Sequence, residues 1–275
     1  MTQTRLPEGQ GLVWIQSAPR AWGGSVDAEL QRRFLAAQPG EVVAMPVAGE
    51  PPWIVVCFDL DEVLVAHWPG RLLQVKLEPP SSPEIAAAVE ATNAEVRSDR
   101  WCRAHAVEVL AELDPSTLFG PQGAAMLPVL EVAEHLDEAT VTALAAARDP
   151  EASAAYQRVW NRWGADGIDD VTLLDLGRAG GSPVGRGLLV VDDLVNQSAK
   201  STPGASHYGR IDPDDPDSVE LILEPNWHQA GLVLIEAALA LGAPGVAGED
   251  AAILLRAWGT VLPSLGAGLG AGFRI

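Results

Sequence analysis

The chain has 275 residues, of which 48% are hydrophobic and 20% are charged. This length and composition exclude a disordered chain and a single small module, and they indicate two domains or one duplicated domain. The 37 acidic and 18 basic residues give a formal net charge of −19. Because both halves are acidic, we expect no direct binding to nucleic acid. The negative charge is typical of a solvated, soluble surface, and it can also steer a basic partner protein.

The cysteines and the apolar stretches indicate where the protein works. Cys57 and Cys102 stand in apolar surroundings, and nothing near the start of the sequence has the pattern of a signal peptide. The longest apolar stretch, 230–248, contains Glu236 and Pro244, which suits a buried helix and a turn better than a membrane span. We therefore expect a cytoplasmic protein without a membrane anchor.

Apolar periodicity and turn residues predict a mixed order of elements in the first half. A strand is expected over 11–17 and a helix over 25–37. Four short runs, divided by polar or Pro/Gly turns, then indicate an antiparallel meander, and a helix follows a proline-rich segment. Two further extended runs and a helix complete this half. The ranges predicted after the first helix are 41–47, 53–59, 63–68, 71–78, 85–96, 101–110, 124–133 and 137–147.

The second half, from Asp149-Pro150 onward, repeats much of this order. Residues 75–79 (VKLEP) and 221–225 (LILEP) each close a predicted strand just before a helix, which is consistent with duplication. The sequence therefore predicts an α+β chain of two related modules, 1–148 and 149–275, each an antiparallel sheet flanked by helices; the second is a degenerate copy or an added domain. Its predicted elements are a helix over 152–163, strands over 171–176, 187–192 and 218–224, and a helix over 228–241.

The segment 54–64 (IVVCFDLDEVL) ends a predicted strand in two acidic residues, Asp59 and Asp61. It resembles the first motif of haloacid-dehalogenase-type phosphatases, which implies Asp59 as nucleophile and Asp61 as general acid/base beside Mg²⁺. That family also needs a cationic residue upstream of a later acidic pair. Asp192-Asp193 fits the pair, but no lysine lies between Lys76 and this pair, which leaves only Arg178 or Arg186 as the cationic residue. The alternating run after the motif favours the other interpretation, a turn with structural acidic residues.

No metal or cofactor site is predicted. The acidic run over 212–220 holds five carboxylates, but it lacks the glycine that a calcium loop needs for its sharp turn, and two prolines interrupt it. The five histidines show no spacing typical of zinc. The sequence also has no Gly-x-Ser-x-Gly elbow and no glycine-rich phosphate loop ending in lysine. We therefore expect binding chemistry without a cofactor.

Residues 226–235 (NWHQAGLVLI) resemble the pyrophosphate loop of GNAT-type acetyltransferases. The resemblance implies a tandem, partly degenerate acyl-CoA-dependent N-acetyltransferase, in which backbone N–H groups near His228, Gln229 and Gly231 hold the pyrophosphate. His228 or Gln229 occupies the position that is usually basic, and Val233 stands where a later glycine is usual. Acyl transfer is therefore an alternative to the binding function described next.

Nine tryptophans against two tyrosines and four phenylalanines are unusual. Tryptophan buries a large area in contact hot spots, so an exposed subset suits protein recognition. We expect Trp53, Trp68 and Leu77 to contribute to partner binding, on the sheet surface or at an exposed edge.

The order of helix, strands, helix, hairpin and final helix over 25–148 resembles the YbjN family and the type III secretion chaperones. This resemblance implies a non-enzymatic protein-binding role, as a chaperone or adaptor, often in dimers whose sheets expose apolar surface. It is the function that the sequence favours, with the transferase and the phosphatase as alternatives. The residues that carry it are Leu72–Leu77, 84–93, Trp101, 104–110 and 136–139.

Overall fold

The structure is a computed structural model that describes residues 6–17, 25–47, 53–96, 99–164, 182–201, 207–210, 221–246 and 248–265. The chain divides into two compact units, Met1–Leu118 (unit 1) and Phe119–Ile275 (unit 2). Unit 1 is built on a six-stranded antiparallel sheet. The described part of unit 2 is mainly helical and includes one two-stranded antiparallel ribbon. The α+β class predicted from the sequence is confirmed.

Unit 1 combines its strands with two helices. The predicted strands over 11–17 and 71–78 and the predicted helices over 25–37 and 85–96 are confirmed, with small shifts at their ends. The extended run over 101–110 is interrupted at His105 and gives two strands. The elements are β1 (Gln10–Gln16), α1 (Ser25–Ala36), β2 (Val42–Ala44), β3 (Ile54–Cys57), a 3₁₀ turn (Leu60–Glu62), β4 (Gly70–Leu77), α2 (Pro83–Val96), β5 (Trp101–Ala104) and β6 (Ala106–Leu113).

The strands of unit 1 do not follow one another in space. Their order is β2-β6-β4-β1-β3-β5, and every neighbouring pair is antiparallel. The predicted meander is therefore wrong, because β3 lies between β1 and β5 while β2 pairs with β6. The predicted strand over 63–68 is also wrong. Val63 and Val65 are buried and Leu64 is exposed, so the side chains alternate as in a strand, but this segment joins no strand of the described sheet.

One face of the sheet packs against α1 and forms the core of unit 1. Phe34 of α1 is 1% exposed and belongs to one cluster with Val13 of β1 and Val75 of β4. Arg71 of β4 donates to the carbonyl oxygens of Phe34 and Leu35, each at 2.8 Å. A helix leaves its last carbonyls short of intrahelical partners, so this arginine ties the end of α1 to the central strands.

The described part of unit 2 is a group of helices around one central helix. The elements are α3 (Gly123–Glu134), α4 (Glu138–Ala147), α5 (Ala152–Gly164), α6 (Pro183–Ser201), β7 (Tyr208–Arg210), β8 (Leu221–Leu223), α7 (Pro225–Gly242) and α8 (Gly248–Leu265). Helix α7 packs against α3, α4, α5, α6 and α8, which is why its sequence is apolar on nearly every face. Neither α7 nor any other described helix is long and apolar enough to cross a membrane.

Two strands predicted for this part of the chain are helical instead. Residues 124–133 lie in α3 and residues 187–192 lie in α6. Both runs are short and apolar, and periodicity alone does not distinguish a buried strand from a buried helix. The predicted helices over 152–163 and 228–241 are confirmed as α5 and α7, and the strand predicted over 218–224 contains β8.

The division between the units lies between Leu118 and Phe119, whereas the sequence predicts a boundary near residue 148. The reason is that α3 and α4 pack against helices that come later in the chain, namely α6, α7 and α8. Their apolar faces therefore contribute to the core of unit 2. The strand predicted over 171–176 and the acidic run over 212–220 lie outside the described residues.

Candidate functional site

An opening lies inside the sheet of unit 1, between β1 and β3. Strand β1 pairs with β4 along all 7 of its residues, but it pairs with β3 only through Leu12 and Cys57. Continuing that register would set Trp14 opposite Val55. Both residues instead line a cavity of about 520 Å³. We call this opening the β1–β3 cleft.

The two strands of the cleft approach each other most closely near Gly11. A Cβ atom on Gly11 would lie 2.3 Å from Cγ1 of Val56 and 2.9 Å from the carbonyl oxygen of Cys57. Only glycine allows the two strands to approach so closely here. Farther along the strands, Gln16 and Trp53 line the cavity. The two strands therefore diverge from a fixed contact near Gly11.

The wall of the cleft is largely apolar. Val55 and Leu64 are 48% and 79% exposed, and they are two of the five exposed large hydrophobic residues among those that the structure describes. Exposed apolar side chains beside a cavity of this volume are typical of a binding surface. The lining residues are Val13, Trp14, Ile15, Gln16, Ala28, Leu30, Gln31, Phe34, Trp53, Ile54, Val55, Cys57, Glu62, Val63, Leu64, Ala66, Trp101 and Arg103.

The charged groups of the wall already have partners. Glu62 pairs with Arg100 at 2.5 Å, and its backbone carbonyl oxygen accepts from the thiol of Cys57 at 3.3 Å. Arg103 donates to the hydroxyl of Thr92 at 2.8 Å. The described wall therefore offers an incoming partner mainly apolar contact, together with the backbone groups of the two diverging strands.

The two outer strands of the sheet, β2 and β5, are covered by side chains. Asn93 of α2 binds both backbone groups of Arg103 in β5: its Nδ2 donates to the carbonyl oxygen, and its Oδ1 accepts from the N–H, each at 2.8 Å. Arg33 of α1 donates to the carbonyl oxygen of Ala44 in β2 at 3.0 Å. An uncovered edge attracts further strands, so these contacts oppose pairing at the outside of the sheet.

The two cysteines of unit 1 are not placed for a disulfide. Cys102 is paired with Val56, the neighbour of Cys57, and successive side chains of a strand point to opposite faces. Cys57 and Cys102 therefore lie on opposite faces of the sheet. Burial raises the pKa of the Cys102 thiol to about 11, which keeps it protonated and unreactive at neutral pH.

The three residues predicted to bind a partner lie in different surroundings. Trp53 lines the cleft. Trp68 stacks on Trp14, another lining residue, with ring centroids 5.6 Å apart and planes 13° apart. Leu77 lies at the end of β4, where it is partly buried against the core. Trp53 and Trp68 thus belong in or beside the cleft, whereas Leu77 belongs to the packing of the sheet.

Asp59 and Asp61 lie in the turn that follows β3. The side chain of Asp59 caps the 3₁₀ turn by accepting from the N–H of Asp61 at 3.0 Å, and its other carboxylate oxygen lies 3.5 Å from Arg100. Such a bond to the backbone two residues later is typical of a turn aspartate. Among the described residues, no group of three His, Cys, Asp or Glu side chains is arranged to hold a metal ion.

His228, Gln229 and Gly231 lie in the first turns of α7. The side-chain oxygen of Gln229 accepts from Arg148 at 2.8 Å. A Cβ atom on Gly231 would lie 3.3 Å from the side chain of Val195 in α6. The His228 N–H donates along the helix, to Glu224. These residues therefore contribute to the helix and its packing.

The sequence does not predict the cleft or the side chains that cover the sheet edges. Gly11 was one available signal, because glycine inside a strand marks a close approach of another backbone. Asn93 was another, since asparagine is unfavourable inside a helix unless its side chain has a use there. Neither residue identifies its neighbour in space, so the contacts of Gly11 and Asn93 cannot be predicted without the strand order.

Comparison of the chain with protein-family models, with curated proteins and with solved structures finds no match. The class of protein is therefore defined by its fold and its site. It is an α+β protein whose first unit carries a sheet with an interior cleft and covered outer edges.

Proposed function

We propose that the protein is a non-enzymatic, chaperone- or adaptor-like binding protein that holds a partner protein at the β1–β3 cleft. The observation that carries this proposal is the cleft itself, with its volume of about 520 Å³, its apolar wall and the exposed side chains of Val55 and Leu64. Burial of apolar surface is the dominant favourable term in most protein association. Partner binding is the function that the sequence favours, but the proposal rests on the cleft and not on the YbjN-like order of elements, because residues 124–133 form a helix instead of the expected strand.

The proposed partner carries basic residues around an apolar anchor. The chain has a net charge of −19, and the turn beside the cleft contributes three carboxylates, at Asp59, Asp61 and Glu62. Arg100 pairs with the first and the last of these. Charge complementarity of this kind raises the rate of association and selects among partners. We further propose that binding takes place in the cytoplasm, with a homodimer as one form of the protein.

The enzymatic alternatives receive less support from the placement of their residues. The Asp59 carboxylate caps a turn and lies near Arg100, which leaves it poorly suited to attack a phosphoryl group. Gln229 and Gly231 are engaged in the packing of α7, and a pyrophosphate needs free backbone N–H groups at a helix start. Partner binding at the cleft does not require Asp59, Gln229 or Gly231 to leave these contacts.

Site-specific photo-crosslinking tests the proposal. A photoreactive phenylalanine analogue replaces Leu64, which lines the cleft and is 79% exposed. The matched control carries the same analogue in place of Ile222 of β8, an exposed aliphatic residue of unit 2. Both proteins are irradiated in cells of the source organism, and crosslinked proteins are identified by mass spectrometry.

The expected result is that position 64 crosslinks to one abundant partner protein and that position 222 does not crosslink to that partner. The adduct should be reconstituted from purified components, and Leu64→Asp should weaken that binding because it introduces a charge into an apolar contact. Identical labelling from both positions, or an adduct that does not bind the purified protein, would show that the cleft is not a partner site.

A further inference from the structure

The direction of the backbone groups in β1 follows from its pairing with β4. In an antiparallel pair, alternate residues turn their N–H and C=O groups toward the same neighbour. Ser17 donates to the carbonyl oxygen of Pro69, which assigns the odd-numbered residues of this strand to β4. The even-numbered residues face β3, in agreement with the pairing of Leu12 and Cys57. Trp14 therefore directs its N–H and C=O into the cleft.

The direction of the backbone groups in β3 follows from its pairing with β5. Phe58 donates to the carbonyl oxygen of Arg100 at 2.7 Å, so the even-numbered residues of this strand face β5. Val55 directs its N–H and C=O toward β1 and into the cleft. Within the residues that the structure describes, no hydrogen bond joins the cleft-facing backbone groups of Trp14 or Val55 to a partner. Two donors and two acceptors thus face each other across the opening.

We infer that the β1–β3 cleft receives an extended segment of the partner protein as an inserted strand, which pairs with Trp14 on one side and Val55 on the other. This inference rests on the proposed function, because it specifies how the partner is held. An inserted strand supplies the hydrogen bonds that the diverging strands lack, and backbone groups away from water without partners cost free energy.

The cleft is a better place for such a strand than either outer edge. Asn93 occupies both backbone groups of Arg103 in β5, and Arg33 occupies the carbonyl oxygen of Ala44 in β2. A strand added outside would have to displace these side chains. A strand inserted into the cleft displaces none of them.

The surroundings define the chemistry of the inserted segment. Side chains of a strand alternate between the two faces of a sheet. Leu30 and Phe34 of α1 line the cleft on the face of the core cluster. The Cys57 side chain points to the other face, where its thiol donates to the carbonyl oxygen of Glu62, and Val63 and Leu64 follow Glu62 directly and also line the cleft. A strand with apolar surroundings on both faces carries a continuous apolar run. The segment is therefore a short apolar run with basic residues on its flanks to complement the acidic chain.

A panel of synthetic peptides provides the probe. Each is an acetylated and amidated heptapeptide, Lys-Ser-X-X-X-Ser-Lys, with X as valine, leucine or phenylalanine throughout the peptide. Each has a counterpart with the same side chains but with N-methylated backbone at two X residues, which removes donors without removing apolar contact. Affinities for the full chain are measured by NMR titration, and insertion predicts that N-methylation weakens binding by about tenfold.

Two proline variants of the protein form the matched pair. Val55→Pro removes an N–H that faces the cleft. Val42→Pro removes an N–H at the outer edge of β2, since Met45 donates to the carbonyl oxygen of His105 and the even-numbered residues of β2 therefore face away from β6. Proline is tolerated in a strand where its missing N–H has no ladder partner. Val55→Pro should weaken peptide binding by about tenfold, whereas Val42→Pro should leave it unchanged.

Several results would overturn the inference. These are equal binding of the N-methylated peptides, equal loss of binding in Val42→Pro and Val55→Pro, and absence of binding of every peptide at millimolar concentration. If Val55→Pro fails to fold, the comparison of methylated and unmethylated peptides on the wild-type protein still decides. A crosslinked partner whose affinity is unaffected by Val55→Pro would leave the proposed function standing and reject strand insertion. If the peptides bind but no cellular protein crosslinks to position 64, the cleft accepts a strand but the proposed function as a partner-binding site is rejected.

Discussion

Replacing Arg148 by alanine is expected to destabilise unit 2, because it leaves the carboxylate of Glu236 buried without its counter-ion. Arg148 pairs with Glu236 at 2.5 Å, and the two side chains are only 15% and 5% exposed. Arg148 also donates to Gln229 of α7 and to Ser153 of α5, each at 2.8 Å. Breaking a buried pair by removing one partner costs about 3–5 kcal/mol. We expect a loss of that size in the free energy of unfolding.

The matched control is Arg158→Ala. Arg158 is 51% exposed and pairs with Asp250, which keeps a second partner in Arg162. Exposed pairs contribute little to stability because water and salt screen them. The control removes the same residue type from the same unit, so its loss of stability should be much smaller than that of Arg148→Ala.

The pH dependence of the Arg148 variant identifies the mechanism. Burial raises the pKa of Glu236, and the hydrogen bond and charge of Arg148 oppose that rise. A carboxyl group with a raised pKa in the folded state favours folding below its unfolded pKa, and this contribution is lost as the pH rises through the folded value. Without Arg148 the pKa of Glu236 rises further. The loss of stability should therefore be largest at neutral pH, should shrink as the pH falls through the raised folded pKa, and should be smallest below the ordinary glutamate pKa of about 4.3.

The assay is urea unfolding followed by circular dichroism, at neutral pH and at about pH 4. In the Arg148→Ala background, Glu236→Gln should recover part of the lost stability at neutral pH, because it removes the uncompensated charge. A loss no larger than that of Arg158→Ala, or one that does not change with pH, would refute the assignment of a stabilising role to this buried pair.

Three further predictions concern local features. Gly11→Ala should lower the free energy of unfolding by about 1–3 kcal/mol, because its Cβ would lie 2.3 Å from a side chain of β3; Gly259→Ala in α8, where nothing lies within 4 Å, should not destabilise the protein in the same urea experiment. Asp137→Ala should cost about 1 kcal/mol by removing the N-cap of α4. The backbone hydrogen bond at that cap lowers the pKa of Asp137, so its contribution should be present above the ordinary aspartate pKa and disappear as the pH falls through the lowered value. Asn93→Ala should expose the backbone of Arg103 and cause more concentration-dependent association in light scattering than the wild-type protein shows, and association equal to that of the wild type would contradict the covering role of this side chain.

The sequence predicted individual elements of unit 1 better than their arrangement. Alternation identified the strands that became β1 and β4, and helical spacing identified α1 and α2, because each pattern reflects burial of one face. The order of strands depends on contacts between residues far apart in the chain. The single pair Leu12–Cys57 and the edge contact of Asn93 with Arg103 are contacts of this kind. No local pattern contains that information.

The elements that were predicted wrongly have sequence patterns that fit both a strand and another structure. Residues 124–133 and 187–192 are apolar runs that suit a buried strand, but their burial arises from helices packed on α7. In 63–68 the side chains alternate without a strand partner. The turn interpretation of Asp59 agrees with the cap that the structure contains, since the side chain of a turn aspartate acts on its own backbone and is therefore readable from local sequence.

Amide hydrogen exchange of the free protein tests the central claim most directly. Val13 and Val56 direct their N–H groups toward β4 and β5, whereas Trp14 and Val55 direct theirs into the cleft. The account predicts strong protection of Val13 and Val56 and rapid exchange of Trp14 and Val55, because protection requires a hydrogen bond that persists in the native state. Equal protection of all four amides in the absence of a partner would mean that β1 and β3 form a closed ladder, and the cleft and every function assigned to it would fall.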